Sequence, residues 1–212
     1  PSLFKKELST EGLSVIAELK KASPSKGVIN PDFDPLLVAD RYCERSDVKA
    51  LSVLTETDYF LGDPSYIEQV KKSHDIPVLR KDFILDPIQV YESKVLGADA
   101  ILLIMAILDV GQAQALLNLA KALRMDVLVE CHDHSELDQA ATLSGCDIVG
   151  VNNRNLSTFE VTPSLAEDLM SMTRALFGEV VFVAESGYRP SDFDRLNRLG
   201  VDAVLVGEGL VG

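Results

Sequence analysis

The sequence predicts an α/β protein, a closed (β/α)8 barrel, on three observations: eight short apolar runs, helix-start signals between them, and a repeated Gly-x-Asp step ahead of several runs. The runs are Val15 to Lys20, Ala50 to Thr55, Pro77 to Phe83, Ala100 to Met105, Asp126 to Cys131, Asp147 to Asn153, Val180 to Ser186 and Ala203 to Glu208. Their starts lie roughly 21 to 36 residues apart, room for one helix and two short loops. Near-continuous Val, Ile and Leu is what strands buried on both faces require.

The first run carries the argument about faces. In Val15-Ile16-Ala17-Glu18-Leu19-Lys20 a period of two puts Glu18 and Lys20 on one side of the strand, an acid and a base together at its end. The loop that follows, Lys21 to Gly27, is rich in Ser, Pro, Lys and Gly, and is read as a lid. Asp34-Pro35 then opens a helix, with Asp as N-cap and Pro in the first turn, and Asp63-Pro64, Asp86-Pro87 and the variant Thr162-Pro163 repeat the signal. Gly97-Ala98-Asp99, Gly145-Cys146-Asp147 and Gly200-Val201-Asp202 each read as a helix ending on glycine and one short turn into a strand. Only thirteen residues precede the first strand and four follow Glu208, so residues 1–212 read as one barrel domain without an N-terminal extension or most of an eighth helix, a fragment of a longer chain.

Composition narrows the function. A hydrophobic content of 47% supports a large core, and no run of about 18 apolar residues exists to span a membrane. Three cysteines without a C-x-x-C pair point to a reducing compartment, hence a cytoplasmic protein. A net charge of -13 disfavours nucleic acid and anionic membranes as partners. An anionic ligand therefore needs a local basic cluster, which Lys20, Lys21 and Lys26 provide.

In such a barrel the active site lies at the C-terminal ends of the strands, so polar residues there form one list. They are Glu18, Lys20, Thr55, Glu56, Arg80, Lys81, Asp82, Glu130, Asn152, Arg154, Glu185, Ser186 and Glu208; the fourth strand offers only apolar groups, Leu102 and Leu103 among them. Lysines and glutamates alternating around a ring shift one another's pKa and serve as acid and base without a metal or other cofactor. Ser186-Gly187 and Gly207-Glu208-Gly209 fall where barrels of this kind often hold a phosphate on backbone N–H groups. Cys131-His132-Asp133-His134 has no zinc-site spacing and reads instead as a strand end followed by a helix cap at Asp133 or Ser135.

Five stretches, VIAELKKASPSKG (Val15 to Gly27), LSVLTETDYFLG (Leu51 to Gly62), PVLRKDFI (Pro77 to Ile84), GVNNRNL (Gly150 to Leu156) and VAESG (Val183 to Gly187), make the chain resemble the indole-3-glycerol phosphate synthase family. The resemblance implies ring closure of 1-(2-carboxyphenylamino)-1-deoxyribulose 5-phosphate, with loss of carbon dioxide and water, to give indole-3-glycerol phosphate. By the same likeness Lys81 is the general acid at the ketone, Lys20 pairs with the carboxylate and helps dehydration, and Glu130 is the general base or its partner. Glu18, Asn152 and Glu185 would orient the lysines and bind sugar hydroxyls, and Arg154 would brace the charges.

Ser23, Ser186, Gly187, Gly207 and Glu208 match the family's phosphate site, and Phe60, Phe83, Leu102 and Leu205 would pack on the aromatic ring. The resemblance implies no metal and no cofactor, and a protein that is monomeric or joined to another tryptophan-pathway enzyme. Tyr188 departs from the smaller aliphatic residue expected beside the phosphate loop. Two other readings accommodate the same strand ends: an isomerase of a phosphorylated aminoketose, and a barrel that binds a sugar phosphate without catalysis.

Overall fold

The computed structural model describes residues 3–156, 158–207 and 210. Eight parallel strands close into a barrel: β1 (Ser14–Leu19), β2 (Val48–Leu54), β3 (Val78–Lys81), β4 (Ala100–Ile104), β5 (Asp126–Cys131), β6 (Ile148–Asn152), β7 (Val181–Glu185) and β8 (Ala203–Val206), with β8 paired to β1. Each predicted run overlaps one of them, β1 and β2 starting one and two residues ahead of theirs. Outside the barrel lie α2 (Pro35–Cys43), α3 (Ser65–Ser73), α4 (Pro87–Leu96), α5 (Val110–Ala122), α6 (His134–Ala140), α7 (Leu165–Phe177) and α8 (Phe193–Leu199).

The start signals work through their side chains. Asp34 accepts from the N–H groups of Leu36 and Leu37, and Asp86 forms a reciprocal capping box with Gln89. At Asp63-Pro64 the carboxylate accepts from Ser65 N–H, one residue inside α3. Thr162-Pro163 does not open its helix directly: Ser164 takes a left-handed conformation (φ 69°) and α7 starts at Leu165.

Strand parity divides the apolar residues into two cores. Ile16, Ala50, Leu79, Leu102, Leu128, Ile148, Val183 and Leu205 fill the barrel, whereas their neighbours Val15, Leu51, Ile101, Leu103, Val129 and Val204 pack under the helices. Leu103 thus faces away from the mouth, contrary to its place in the apolar list. The residues ahead of β1 form a helix that the sequence did not announce, α1 (Leu3–Leu8), whose Phe4 and Leu8 are fully buried in the barrel-filling core. They close the N-terminal end of the barrel, with the Lys5 backbone N–H donated to Asp126 at 2.7 Å.

The Gly-x-Asp step has two parts. Gly97 and Gly200 end α4 and α8 in the left-handed region (φ 91° and 83°), which costs a glycine little. The aspartates then latch neighbouring units together at the lower rim. Asp99 accepts from Lys71 Nζ of α3 and from Val78 N–H of β3, both at 2.9 Å. Asp202 does the same for Arg174 of α7 (2.8 Å) and Phe182 N–H of β7 (2.7 Å), and Asp147 pairs with Lys121 of α5.

Candidate active site

The strand ends open into a cavity of about 820 Å³ at the C-terminal mouth of the barrel. Parity turns Glu18, Lys81, Glu130, Asn152 and Glu185 inward, and all five line it together with Lys20, Ser23, Phe60, Phe83, Leu102, Arg154, Ser186, Gly187, Leu205 and Gly207. Of the candidate residues, Glu208, with Gly209 of the same turn, lies outside the described residues. Lys26 also lines the cavity; Lys21 does not.

The charged groups form a chain across the floor. Lys20 Nζ is 2.9 Å from Glu18 Oε1, and Lys81 Nζ is 3.9 Å from Glu18 on one side and 3.9 Å from Glu130 on the other. Burial works against ionisation of Glu18, but Lys20 and Lys81 outweigh it and hold the carboxyl below its ordinary value. Burial likewise opposes the Lys81 ammonium, yet Glu130, Glu18 and Glu185 push it above the usual lysine value, so it is charged.

Glu130 and Glu185, each 1% exposed, split in opposite directions. For Glu130 the burial penalty is overcome by Lys81 and then His132, and the carboxyl is held well below its ordinary value. For Glu185, burial and the Glu130 charge push the carboxyl well above it. Glu130 therefore holds the negative charge of the pair in preference to Glu185, with Lys81 Nζ at 3.9 Å and His132 Nε2 at 3.2 Å from its oxygens. Glu185 has room because its carboxyl lies over Gly150 of β6, which pairs with Val183: a Cβ there would meet Glu185 Oε1 at 2.1 Å.

Several strand-end residues serve the frame. Arg80 points away from the mouth and is 3% exposed; it donates to Thr55 (3.1 Å), Asp82 (3.0 Å), Glu92 (2.7 Å), Ser93 (3.2 Å) and the Gln89 carbonyl (3.2 Å). This cluster bolts β3 to α4 and takes Arg80 and Thr55 out of the list of mouth residues. The Glu56 carboxylate accepts from the N–H groups of Asp58, Tyr59 and Phe60 at 2.8 to 2.9 Å, folding the loop that presents Phe60 to Phe83 with ring centroids 6.5 Å apart. Asn152 accepts from Arg154 N–H at 2.9 Å, and Arg154 donates to the Phe159 carbonyl at 3.0 Å.

Asn153, not singled out in the sequence, joins three segments: its side chain donates to the Ser186 carbonyl (3.0 Å) and accepts from Ala166 N–H (2.9 Å), while its own N–H is donated to the Glu185 carbonyl (3.0 Å). It thereby holds Ser186 (φ 68°) and Gly187 (φ 84°) at the cavity edge. Tyr188 is 6% exposed and packs in the outer core behind this turn. Asp133 caps α6 as expected, and Cys131 is buried on the outer face of β5. His132, which the sequence reading passed over with that run, instead turns toward Glu130, its Nε2 3.2 Å from Oε1.

A ring of buried acids and bases around one barrel mouth, with an apolar wall beside it, defines a (β/α)8-barrel enzyme of acid–base type. A model of the family described as indole-3-glycerol phosphate synthase matches residues 2–212. An indole-3-glycerol phosphate synthase of Thermoanaerobacter pseudethanolicus is 50% identical over 206 residues, 97% of this chain and 77% of the relative. One from Desulfotalea psychrophila is 49% identical over 205 residues, 96% and 77% of the two chains. Among solved structures, 3-hexulose-6-phosphate synthase from Salmonella typhimurium superposes with a TM-score of 0.71 at 18% identity, covering 93% of this chain and 90% of that one, a likeness of fold alone. The chain belongs to the indole-3-glycerol phosphate synthase family, and its activity is that of a decarboxylating lyase of tryptophan biosynthesis.

Proposed function

We propose that Lys81 is the general acid of the ring closure and Glu130 the general base, with the substrate lying across the floor between them. The observation that carries this reading is the Lys81 ammonium, half-buried at the cavity floor 3.9 Å from both Glu18 and Glu130. As the aromatic carbon bearing the carboxylate attacks the ketone carbon, negative charge grows on the ketone oxygen, and a fixed ammonium in a dry site stabilises and then protonates it. Loss of carbon dioxide returns the bonding electrons to the ring system. Departure of the new hydroxyl as water, with removal of a ring proton by Glu130, completes the indole.

Lys20, paired with Glu18, is assigned to the substrate carboxylate and to the dehydration. Glu18, Asn152 and Glu185 orient the two lysines and meet the sugar hydroxyls, and Arg154 braces the β6 end. Ser23, Ser186, Gly187 and Gly207 are assigned to the phosphate, where the small residues let backbone N–H groups approach an anion. Phe60, Phe83, Leu102 and Leu205 supply the wall for the aromatic ring. The Lys21 to Gly27 segment, folded with Val28 as a short antiparallel hairpin of Ala22–Ser23 against Gly27–Val28, is assigned the part of a lid.

No described helix is long and apolar enough to cross a membrane. The reading is completed by a single barrel domain working in the cytoplasm, monomeric or associated with another enzyme of the pathway.

The test is to supply the carboxyphenylamino-deoxyribulose phosphate to the purified protein without added metal and to follow indole absorbance and carbon dioxide together. Both signals are expected, and Glu130→Gln lowers kcat far more than it weakens substrate binding. Equal losses in the two constants make Glu130 a binding residue instead.

A further inference from the structure

Glu130 is held by a chain of side chains that the chemistry above does not use. His132 follows two residues later, and its Nε2 lies 3.2 Å from Glu130 Oε1. The other ring nitrogen, Nδ1, is 3.0 Å from Glu136 Oε2, and that same oxygen accepts the His132 backbone N–H at 2.8 Å. Glu136 sits in the first turn of α6, where its own N–H is donated to the Asp133 cap at 2.9 Å. The imidazole is therefore clamped between two carboxylates, with 9% of its side chain exposed, behind the cavity rather than among the groups that line it.

We propose that His132 is a positioning residue for the reaction: gripped by Glu136, it fixes the Glu130 carboxylate in place at the cavity floor. The proposal rests on the reading of Glu130 as the base. A carboxylate this deeply buried beside a second carboxyl is costly without a close cationic partner, and Lys81 at 3.9 Å reaches it from one side only. His132 supplies the other side.

Burial disfavours the imidazolium, but Glu130 and Glu136 outweigh it and push the ring up to about 10, so both nitrogens are donors at neutral pH. The charged groups around this unit are Glu130 on β5, Glu136 on α6, Glu185 on β7 and Lys81 on β3. The Met105–Ile107 turn, which packs on β5 and α6, has no titratable side chain.

His132→Asn and His132→Gln separate contact from bulk, because the longer amide reaches the place of Nε2 and the shorter one does not. The expected result is a kcat about tenfold to a hundredfold lower in His132→Asn, with KM changed less than threefold and partial recovery in His132→Gln. With the cation gone, the carboxylate is less favoured, so the acid limb of the kcat profile moves to higher pH in both variants. In a Glu130→Gln background the same changes have no further effect on kcat.

An unchanged kcat and an unchanged acid limb in His132→Asn, with Glu130→Gln inactive, overturn the proposal and leave the base assignment standing. Full turnover in Glu130→Gln overturns both. Should His132→Asn fail to fold, Glu136→Gln decides: it keeps an acceptor for Nδ1 but removes the charge, and is expected to lower kcat severalfold and move its acid limb to higher pH, whereas a wild-type kcat and acid limb overturn the proposal.

Discussion

Replacing Gly150 by alanine probes the packing of the site with one methyl group. The new Cβ would stand 2.1 Å from Glu185 Oε1 and 3.2 Å from Leu128 Cδ1. Ordinary contact requires the carboxyl to retreat by roughly 1 Å, and because it is the far end of a flexible side chain the fold can absorb this. A stability loss of about 1–3 kcal/mol is expected, the usual range for an extra methyl in a packed core. In a chain of this size that lowers Tm by roughly 2–4 °C for each kcal/mol.

The catalytic loss is larger, since a displacement near 1 Å costs on the order of 100-fold when reacting groups must stay aligned. The Glu185 and Glu130 carboxyls also shift one another in opposite directions, so moving Glu185 disturbs the base. The assay is kcat by indole absorbance beside a thermal melt. In a Glu185→Ala background the methyl has nothing to displace, and Gly150→Ala should add little further loss. Turnover within twofold of wild type in the single variant, at unchanged pH profile, refutes the argument.

Three further outcomes are expected. Lys81→Met abolishes turnover while substrate still binds, because the methylenes stay and the proton donor goes; this is read by kcat and by isothermal titration of the carboxyphenylamino-deoxyribulose phosphate. Arg80→Ala destabilises by about 3–5 kcal/mol by stranding buried Thr55 and half-buried Asp82, and urea unfolding should register that loss. His132, pushed up from 6.5 to about 10 in the fold, contributes stability that is complete below about 6.5 and is lost as pH rises through about 10. Urea midpoints at both ends of that window should fall more for wild type than for His132→Gln.

The barrel was legible because its strands are near-continuous apolar runs and its helices open on Asp-Pro signals whose carboxylates cap real N–H groups. The inward acids and bases were legible for the same reason that Glu18 and Lys20 were: a period of two. Parity also contained the correction for Arg80, since a neighbour of inward Lys81 must face outward, but a polar residue at a strand end does not announce whether it serves the site or the frame.

His132 escaped because its partner Glu136 lies across a helix cap, and only the folded chain brings the two to one ring. Gly150 escaped because a glycine's role there is the volume left for a side chain on the next strand. The α1 helix is six residues long and carries two apolar anchors, Phe4 and Leu8, too little periodicity to stand out from the sequence around it.

The aspartate latches have a period of two strands: Asp99, Asp147 and Asp202 stand ahead of β4, β6 and β8, each paired with a cation from α3, α5 or α7. Asp47, just before β2, pairs instead with Arg45 of its own loop at 2.7 Å and joins no second unit. The lower rim therefore repeats one latch ahead of β4, β6 and β8, while the upper rim follows no such spacing, with glutamates on β1, β5 and β7, a lysine on β3 and an asparagine on β6. Mechanical closure and chemical identity are written at opposite poles of the same strands, so the catalytic pole can be rewritten piece by piece while the three fasteners beneath it stay shut.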